Sequence, residues 1–183
     1  MGNNIASSNN TYQFHNSHVC DGRNAVCVLD PKNGIHGTVE FHQCSPNGPV
    51  KVSIEIEGES RKTHAIHIHE FGDTRDGCKS LGLHHNPYGH THGSRNYNMP
   101  RHAGDLINNF TFNSNGYFKY EYYDDLLTMY NYEKDISIVG RSIVIHEGQD
   151  DLGLGMDKES LISGNAGNRI NCGVIGVCKL RHF

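Results

Sequence analysis

Tryptophan is absent from the 183 residues, proline occurs only 5 times, and no block of lysine or arginine interrupts a chain of formal net charge −4. The missing basic block argues against a nucleic-acid interface or a polybasic membrane surface. No stretch reaches the roughly 18 consecutive apolar residues of a membrane-spanning helix. The opening residues, MGNNIASSNN, have neither the basic region nor the apolar core of a secretion signal, and Ala6 stands where a myristoylation motif requires Ser or Thr. These absences lead to the expectation of a soluble, cytoplasmic protein, and the length fits one domain with a tail. Histidine, by contrast, is plentiful: of 14 in the chain, eight lie between His64 and His102.

Residues 1–23 are rich in Asn and Ser without periodicity and read as a flexible extension, 24–178 as the domain and 179–183 as a short tail. Within the domain, Val50, Val52, Ile54 and Ile56 alternate with Lys51, Ser53, Glu55 and Glu57, the period of two of a strand with one buried and one wet face. Similar runs occur at 25–29, 37–43, 63–69, 106–113, 117–123, 136–146 and 173–178, separated by Asn- and Gly-containing turns such as Asn33-Gly34 and Asn115-Gly116. No segment has helical periodicity, so the reading is all-β: about eight strands in an antiparallel sandwich or barrel. Residues 70–101 and 150–171 break the rhythm. Each exceeds the roughly 12 to 15 residues beyond which a loop in a compact domain is usually functional or disordered. The chemistry is expected there.

His67-Ile68-His69 places two imidazoles on one face of a strand, with Ile66 and Ile68 turned into the core. Taken alone, such a pair is more often two exposed polar residues. Here His84, His92 and His102 follow, Asp105 comes three residues after the last, and His146 closes another strand. Imidazole suits copper and zinc, and three His with one carboxylate is a familiar closed zinc set. Six His and one Asp suffice for two metals only if one histidine is shared.

The segments His67-Ile68-His69-Glu70-Phe71-Gly72-Asp73, Gly77-Cys78, His84-His85-Asn86-Pro87, His92-Gly93, Arg101-His102-Ala103-Gly104-Asp105-Leu106, Val144-Ile145-His146-Glu147, Gly164-Asn165-Ala166-Gly167-Asn168-Arg169 and Cys172-Gly173-Val174-Ile175-Gly176 occur in this order. With them the sequence closely resembles the copper/zinc superoxide dismutase family from about residue 24 to 178. The resemblance implies a Greek-key β-barrel, usually a homodimer, that disproportionates superoxide. It assigns copper to His67, His69, His84 and His146, and zinc to His84, His92, His102 and Asp105. His84 is then the shared ligand, released from copper and protonated during the catalytic cycle. Asp150 matches a carboxylate that accepts hydrogen bonds from a copper and a zinc histidine. His64 matches a structural histidine beneath the copper, and Arg169 the arginine that holds the anionic substrate. The position where the family often carries a guiding lysine is Ile162, which predicts weaker electrostatic steering unless Lys158 compensates.

The resemblance also pairs Cys78 with Cys172 in a disulfide. Cys27 reads as a buried thiol on the first strand, and the pairing of Cys20, Cys44 and Cys178 is left open. Val26, Val28, Gly72, Val139, Gly140, Val174 and Val177 match the family's dimer patch; each valine alone reads more readily as core, and it is the set together that points to a dimer. The absence of proline at Asn168 and Ile170 points to metal loading that does not require a copper chaperone, which remains a candidate partner. The sequons Asn9-Asn10-Thr11 and Asn109-Phe110-Thr111 matter only for the alternative, extracellular location. Three competing readings are a chaperone-type docking domain, a copper-only dismutase and a zinc hydrolase. Arg169 with the full set of copper ligands disfavours the first, His92, His102 and Asp105 the second, and four His with no positioned general base the third.

Overall fold

The computed structural model describes residues 22–97, 99–131 and 135–179. Most of the extension and most of the tail expected from the sequence, Cys20 included, lie outside the described residues. The described residues form eight strands: β1 (Arg23–Lys32), β2 (Ile35–Gln43), β3 (Val50–Glu57), β4 (Thr63–His69), β5 (Asn108–Thr111), β6 (Tyr117–Asp124), β7 (Ser142–His146) and β8 (Arg169–Val177). All described pairings are antiparallel, in the order β5-β4-β7-β8-β1-β2-β3-β6. The two ends of this series are consecutive in sequence, which nearly closes the barrel. The all-β expectation holds; the regular helix among the described residues is a single turn, α1 (Ser160–Ser163), and a 3₁₀ turn at Lys79–Leu81.

Local chemistry explains the elements. In β3, Val50, Val52, Ile54 and Ile56 are all buried and the residues between them face outward. The β1–β2 hairpin turns on Asn33 (φ 51°) and Gly34 (φ 76°), between the paired Lys32 and Ile35. This two-residue turn with positive φ matches the right-handed twist of its strands. The core fills the space between the two halves of the barrel with Leu29, Phe41, Ile54, Ile66, Ile68 and Ile143, all nearly inaccessible.

Three expected boundaries are corrected. β5 spans only Asn108–Thr111, because Leu106 turns its N–H back to the Gly104 carbonyl. β7 begins at Ser142 rather than near 136: the preceding residues are held as a loop by Ile138 N–H to Thr128 O and Gly140 N–H to Ile175 O, with Gly140 at φ 84°. β8 begins at Arg169, inside the segment read as loop, because Arg169 pairs with His146 across a bulge and Asn171 pairs with Ile145. That shift matters, since it moves Arg169 from a loop onto the barrel wall, three residues before Cys172 on the same strand.

Val28, Val174 and Val177 are exposed at 55%, 40% and 73%. They are not core. Ala25, Cys27 and Leu29 supply the inward face of β1 instead.

Candidate metal centre

β4 sets the frame. Ile66 and Ile68 enter the core, and the alternate residues His67 and His69 point to the opposite face, yet are also buried. They are buried because both long loops fold over that face. The 70–107 loop returns to β4 through Glu70 N–H to Leu83 O, His85 N–H to Ile68 O and Ile68 N–H to Gly104 O. The 147–168 loop is tied down by Gly148 N–H to Ala166 O and Asp151 N–H to Gly164 O. β7, next to β4, delivers His146.

Two clusters result, and His84 belongs to both. One ring nitrogen from each of His67, His69, His84 and His146 lies within 4.8 Å of the others, and the same limit holds for His84, His92, His102 and Asp105.

Hydrogen bonds identify which nitrogen faces each cluster. His69 Nδ1–H donates to Gly82 O (3.0 Å) and His146 Nδ1–H to Gly167 O (3.1 Å), leaving the two Nε2 lone pairs 3.2 Å apart. Two lone pairs facing each other at that distance repel unless a cation lies between them. His67 Nε2–H donates to Asp150 Oδ2 (2.6 Å), so its free nitrogen is Nδ1. His84 Nδ1 faces Asp105 Oδ1 at 2.9 Å, so Nε2 is the atom it presents to the first cluster. His67 Nδ1 and His84 Nε2 are both buried without a hydrogen-bond partner, a costly state for a polar atom that a metal ion relieves. Burial lowers the pKa of all four histidines, to about 3 for His84 and about 4 for His146, which keeps the rings neutral and their lone pairs available.

In the second cluster, Asp105 Oδ1 is approached by three Nδ1 atoms: His84 and His92 at 2.9 Å and His102 at 3.3 Å. His102 Nδ1 is another buried nitrogen without a partner. Asp105 Oδ2 accepts backbone N–H bonds from Gly93 (3.0 Å) and His102 (2.9 Å), which aims Oδ1 at the histidines. Burial alone would raise the Asp105 pKa, but the surrounding histidines hold it well below the usual carboxylate range.

A third group, His67, His92 and Asp150, is a link between the clusters. Asp150 Oδ2 accepts from His67 and Oδ1 accepts from His92 Nε2–H at 2.9 Å. Burial disfavours a charge on His92, but Asp105 on one ring nitrogen and Asp150 on the other outweigh it and raise its pKa to about 9. A proton or a metal ion at Nδ1 satisfies that pair. Gly164, at φ 66°, closes over this link; a Cβ there would overlap Asp150 Oδ1 and His92 Nε2.

Arg169 stands beside the first cluster, across from His146 in the β7–β8 pairing. Its guanidinium donates to Cys78 O (2.8 Å) and Gly82 O (2.6 Å). Gly82 O therefore holds both His69 and Arg169. A disulfide joins Cys78 to Cys172, fixing this loop to β8. His64 sits beneath the cluster, bonded to His146 O at 2.9 Å and near the rings of Phe110 and Phe112. Among the described residues, His36, His42, His85 and His90 join neither cluster. Cys27 is a buried thiol whose pKa burial pushes up to about 12, and Cys44 is disulfide-bonded.

The sequence reading missed the roles of Gly82, Asn108, Asn109 and Gly164. Asn108 donates to Gly93 O (2.9 Å) and Asp150 Oδ2 (3.0 Å), and Asn109 bonds the Asp150 main chain. The only available signal was two adjacent asparagines, poor strand formers, opening a strand.

Comparison with known proteins agrees with this geometry. The family profile described as copper/zinc superoxide dismutase (SODC) matches residues 35–175. The chain is 47% identical over 154 residues to "Superoxide dismutase [Cu-Zn]" of Saccharomyces cerevisiae, covering 84% of this chain and 97% of that one. It is 44% identical over 154 residues to "Superoxide dismutase [Cu-Zn] A" of Xenopus laevis, with the same coverage. It is also similar to the solved structure of the clock protein EA4, at TM-score 0.77 and 36% identity, covering 90% of this chain and 99% of that one. A sequence match across most of the barrel, together with two histidine clusters that share one ring, makes this chain a member of the copper/zinc superoxide dismutase family.

Proposed function

We propose that the protein is a superoxide dismutase, converting two superoxide anions and two protons into dioxygen and hydrogen peroxide. Copper is held by His67, His69, His84 and His146, and zinc by His84, His92, His102 and Asp105. The all-imidazole set suits copper and the three-His, one-carboxylate set suits zinc. Bound copper supplies the redox chemistry, alternating between Cu(II) and Cu(I); zinc has no redox chemistry and serves to organise. The observation that carries the reading is His84, whose Nε2 has no partner while its Nδ1 faces Asp105.

The remaining steps belong to the chain's own residues. Arg169 binds the substrate anion, and its two carbonyl anchors hold the guanidinium in a fixed orientation before substrate arrives. His84 holds a proton at Nε2 for delivery to the reduced oxygen species while its Nδ1 side stays fixed toward Asp105. Asp150 fixes the tautomers of His67 and His92 by accepting from each Nε2–H. The net charge of −4 opposes an anionic substrate, so the local field of Arg169 must dominate at the mouth.

The same reading includes a homodimer through the face carrying Val28, Val174 and Val177, supported by their exposure. It also includes a cytoplasmic location and loading without an obligatory copper chaperone. No described helix is long and apolar enough to cross a membrane. Metal analysis with a superoxide-consumption assay tests the function. Equal copper and zinc with fast turnover supports it; full metal content without turnover overturns it.

A further inference from the structure

Asp150 stands just past the end of β7, and each oxygen of its carboxylate carries two bonds. Oδ1 accepts from His92 Nε2–H and the Leu152 N–H (2.6 Å); Oδ2 accepts from His67 Nε2–H and Asn108 Nδ2–H. So many directed bonds leave little freedom in where the Asp150 main chain can stand. A displacement of the backbone breaks the link to His67, to His92 or to both.

The strand ladder does not provide that placement. Gly148 is the last residue of this segment bonded to β4, through the Ala65 N–H. At Asp150 a side chain takes over: Asn109 Nδ2–H donates to the Asp150 carbonyl oxygen at 2.8 Å, and Asn109 Oδ1 accepts the Asp150 N–H at 2.8 Å. Asn109 is itself the β5 partner of Ala65. Its amide thus reproduces, for a single residue, the paired bonds a neighbouring strand would make. Asparagine is depleted in strands, and β5 is only four residues long. A residue unfavourable to its own strand, with both polar ends committed to Asp150, indicates that its position serves Asp150 rather than β5.

We propose that Asn109 is a positioning residue for the metal pair: by clamping the Asp150 main chain, it sets the height of the carboxylate that joins a copper histidine to a zinc histidine. This rests on the reading of Asp150 given under the proposed function.

The test uses the full-length protein loaded with copper and zinc. Zinc transfer to a chromogenic chelator is followed for wild type, Asn109→Val, Asp150→Asn and the double variant, and the visible spectrum is recorded with Co(II) in the zinc site. Residues that orient metal ligands typically change metal affinity about 10- to 100-fold. N109V is expected to release zinc about tenfold faster and to alter the Co(II) bands. The double variant is expected to match D150N, because both changes act through one carboxylate. Should N109V not fold, the isosteric Asn109→Asp keeps the bond from the Asp150 N–H but sets a carboxylate oxygen against the Asp150 carbonyl oxygen, and carries the same expectation. Wild-type zinc release and Co(II) bands in the folded Asn109 variant, with D150N impaired, overturn the proposal. So does a double variant that multiplies the two single effects. Wild-type release in D150N instead overturns the reading of Asp150 beneath it.

Discussion

Arg169 donates from its guanidinium to the carbonyl oxygen of Cys78 at 2.8 Å, and the sulfur of that same cysteine is bonded to Cys172, three residues from Arg169 along β8. Disulfide and arginine therefore form one closed circuit linking the first long loop to the barrel wall. Cys78→Ser is expected to free the Cys78 and Gly82 carbonyls to move, weakening the hold on both Arg169 and His69. The crosslink spans 94 residues, so in the chain-entropy model its loss costs about 4 to 5 kcal/mol. Denaturant unfolding of the variant checks the stability loss, and turnover per bound copper checks that activity falls with it.

Ile162 is 44% exposed and follows Leu161, whose carbonyl accepts the His92 N–H at 2.9 Å. It contributes no charge near the metal centre. Ile162→Lys is expected to raise the rate at low ionic strength about twofold by adding attraction for an anion. The gain should fade near 0.15 M salt, where the Debye length is about 8 Å. Rates measured across ionic strength check this: the wild-type enzyme should show the shallower salt dependence, and a steeper one would contradict weak steering.

Gly164→Ala introduces a Cβ that overlaps Asp150 Oδ1 and His92 Nε2, on a backbone already at φ 66°. The expected result is a loss of about 1 to 3 kcal/mol in stability from the backbone strain alone, with additional loss of zinc. Thermal unfolding and metal content of the purified variant are the measurements. Ala at Gly34, also at positive φ but with open space around it, serves as the comparison, losing stability without losing zinc.

His85 is buried, bonded to Ile136 O at 3.1 Å, and its pKa is lowered to about 4 by burial and by Arg141. The native ring stays neutral below pH 6.5 while the unfolded chain takes up a proton. Its contribution to stability is therefore present above the unfolded pKa of about 6.5 and is lost as pH falls toward 4. For this one group the loss between pH 7 and 5 is about 2 kcal/mol. Urea unfolding of the metal-free protein and of its His85→Phe variant at the two pH values checks it: the variant should lose less stability between them by that amount, the other buried histidines contributing equally to both.

Val28, Val174 and Val177 are exposed valines on β1 and β8. Sedimentation is expected to give the mass of two chains, and Val177→Asp is expected to shift the population toward one. A wild-type protein that stays monomeric at micromolar concentration would contradict the dimer reading.

The strands and the ligand candidates were legible because each is local. Alternation in β3 and the His67-Ile68-His69 spacing need only neighbouring residues, and the six histidines lay in recognisable motifs. What stayed hidden depends on contacts between distant segments. Asn109 and Asp150 are separated by 41 positions, and nothing local to either one points to the other. Gly164 matters because of how closely the second loop approaches His92, which no periodicity records. The start of β7 was misread for a similar reason: residues 136–141 are apolar enough for a strand, but their backbone bonds go to Thr128 and Ile175.

The shared ring of His84 also has a thermodynamic consequence. If both ions compete for, and jointly orient, one side chain, their binding equilibria are not separable. Whatever factor zinc contributes to the affinity for copper, copper must return to zinc in equal measure. Metal loading is then a single coupled equilibrium, in which occupancy of either site sets how tightly the other ion is kept, whichever arrives first.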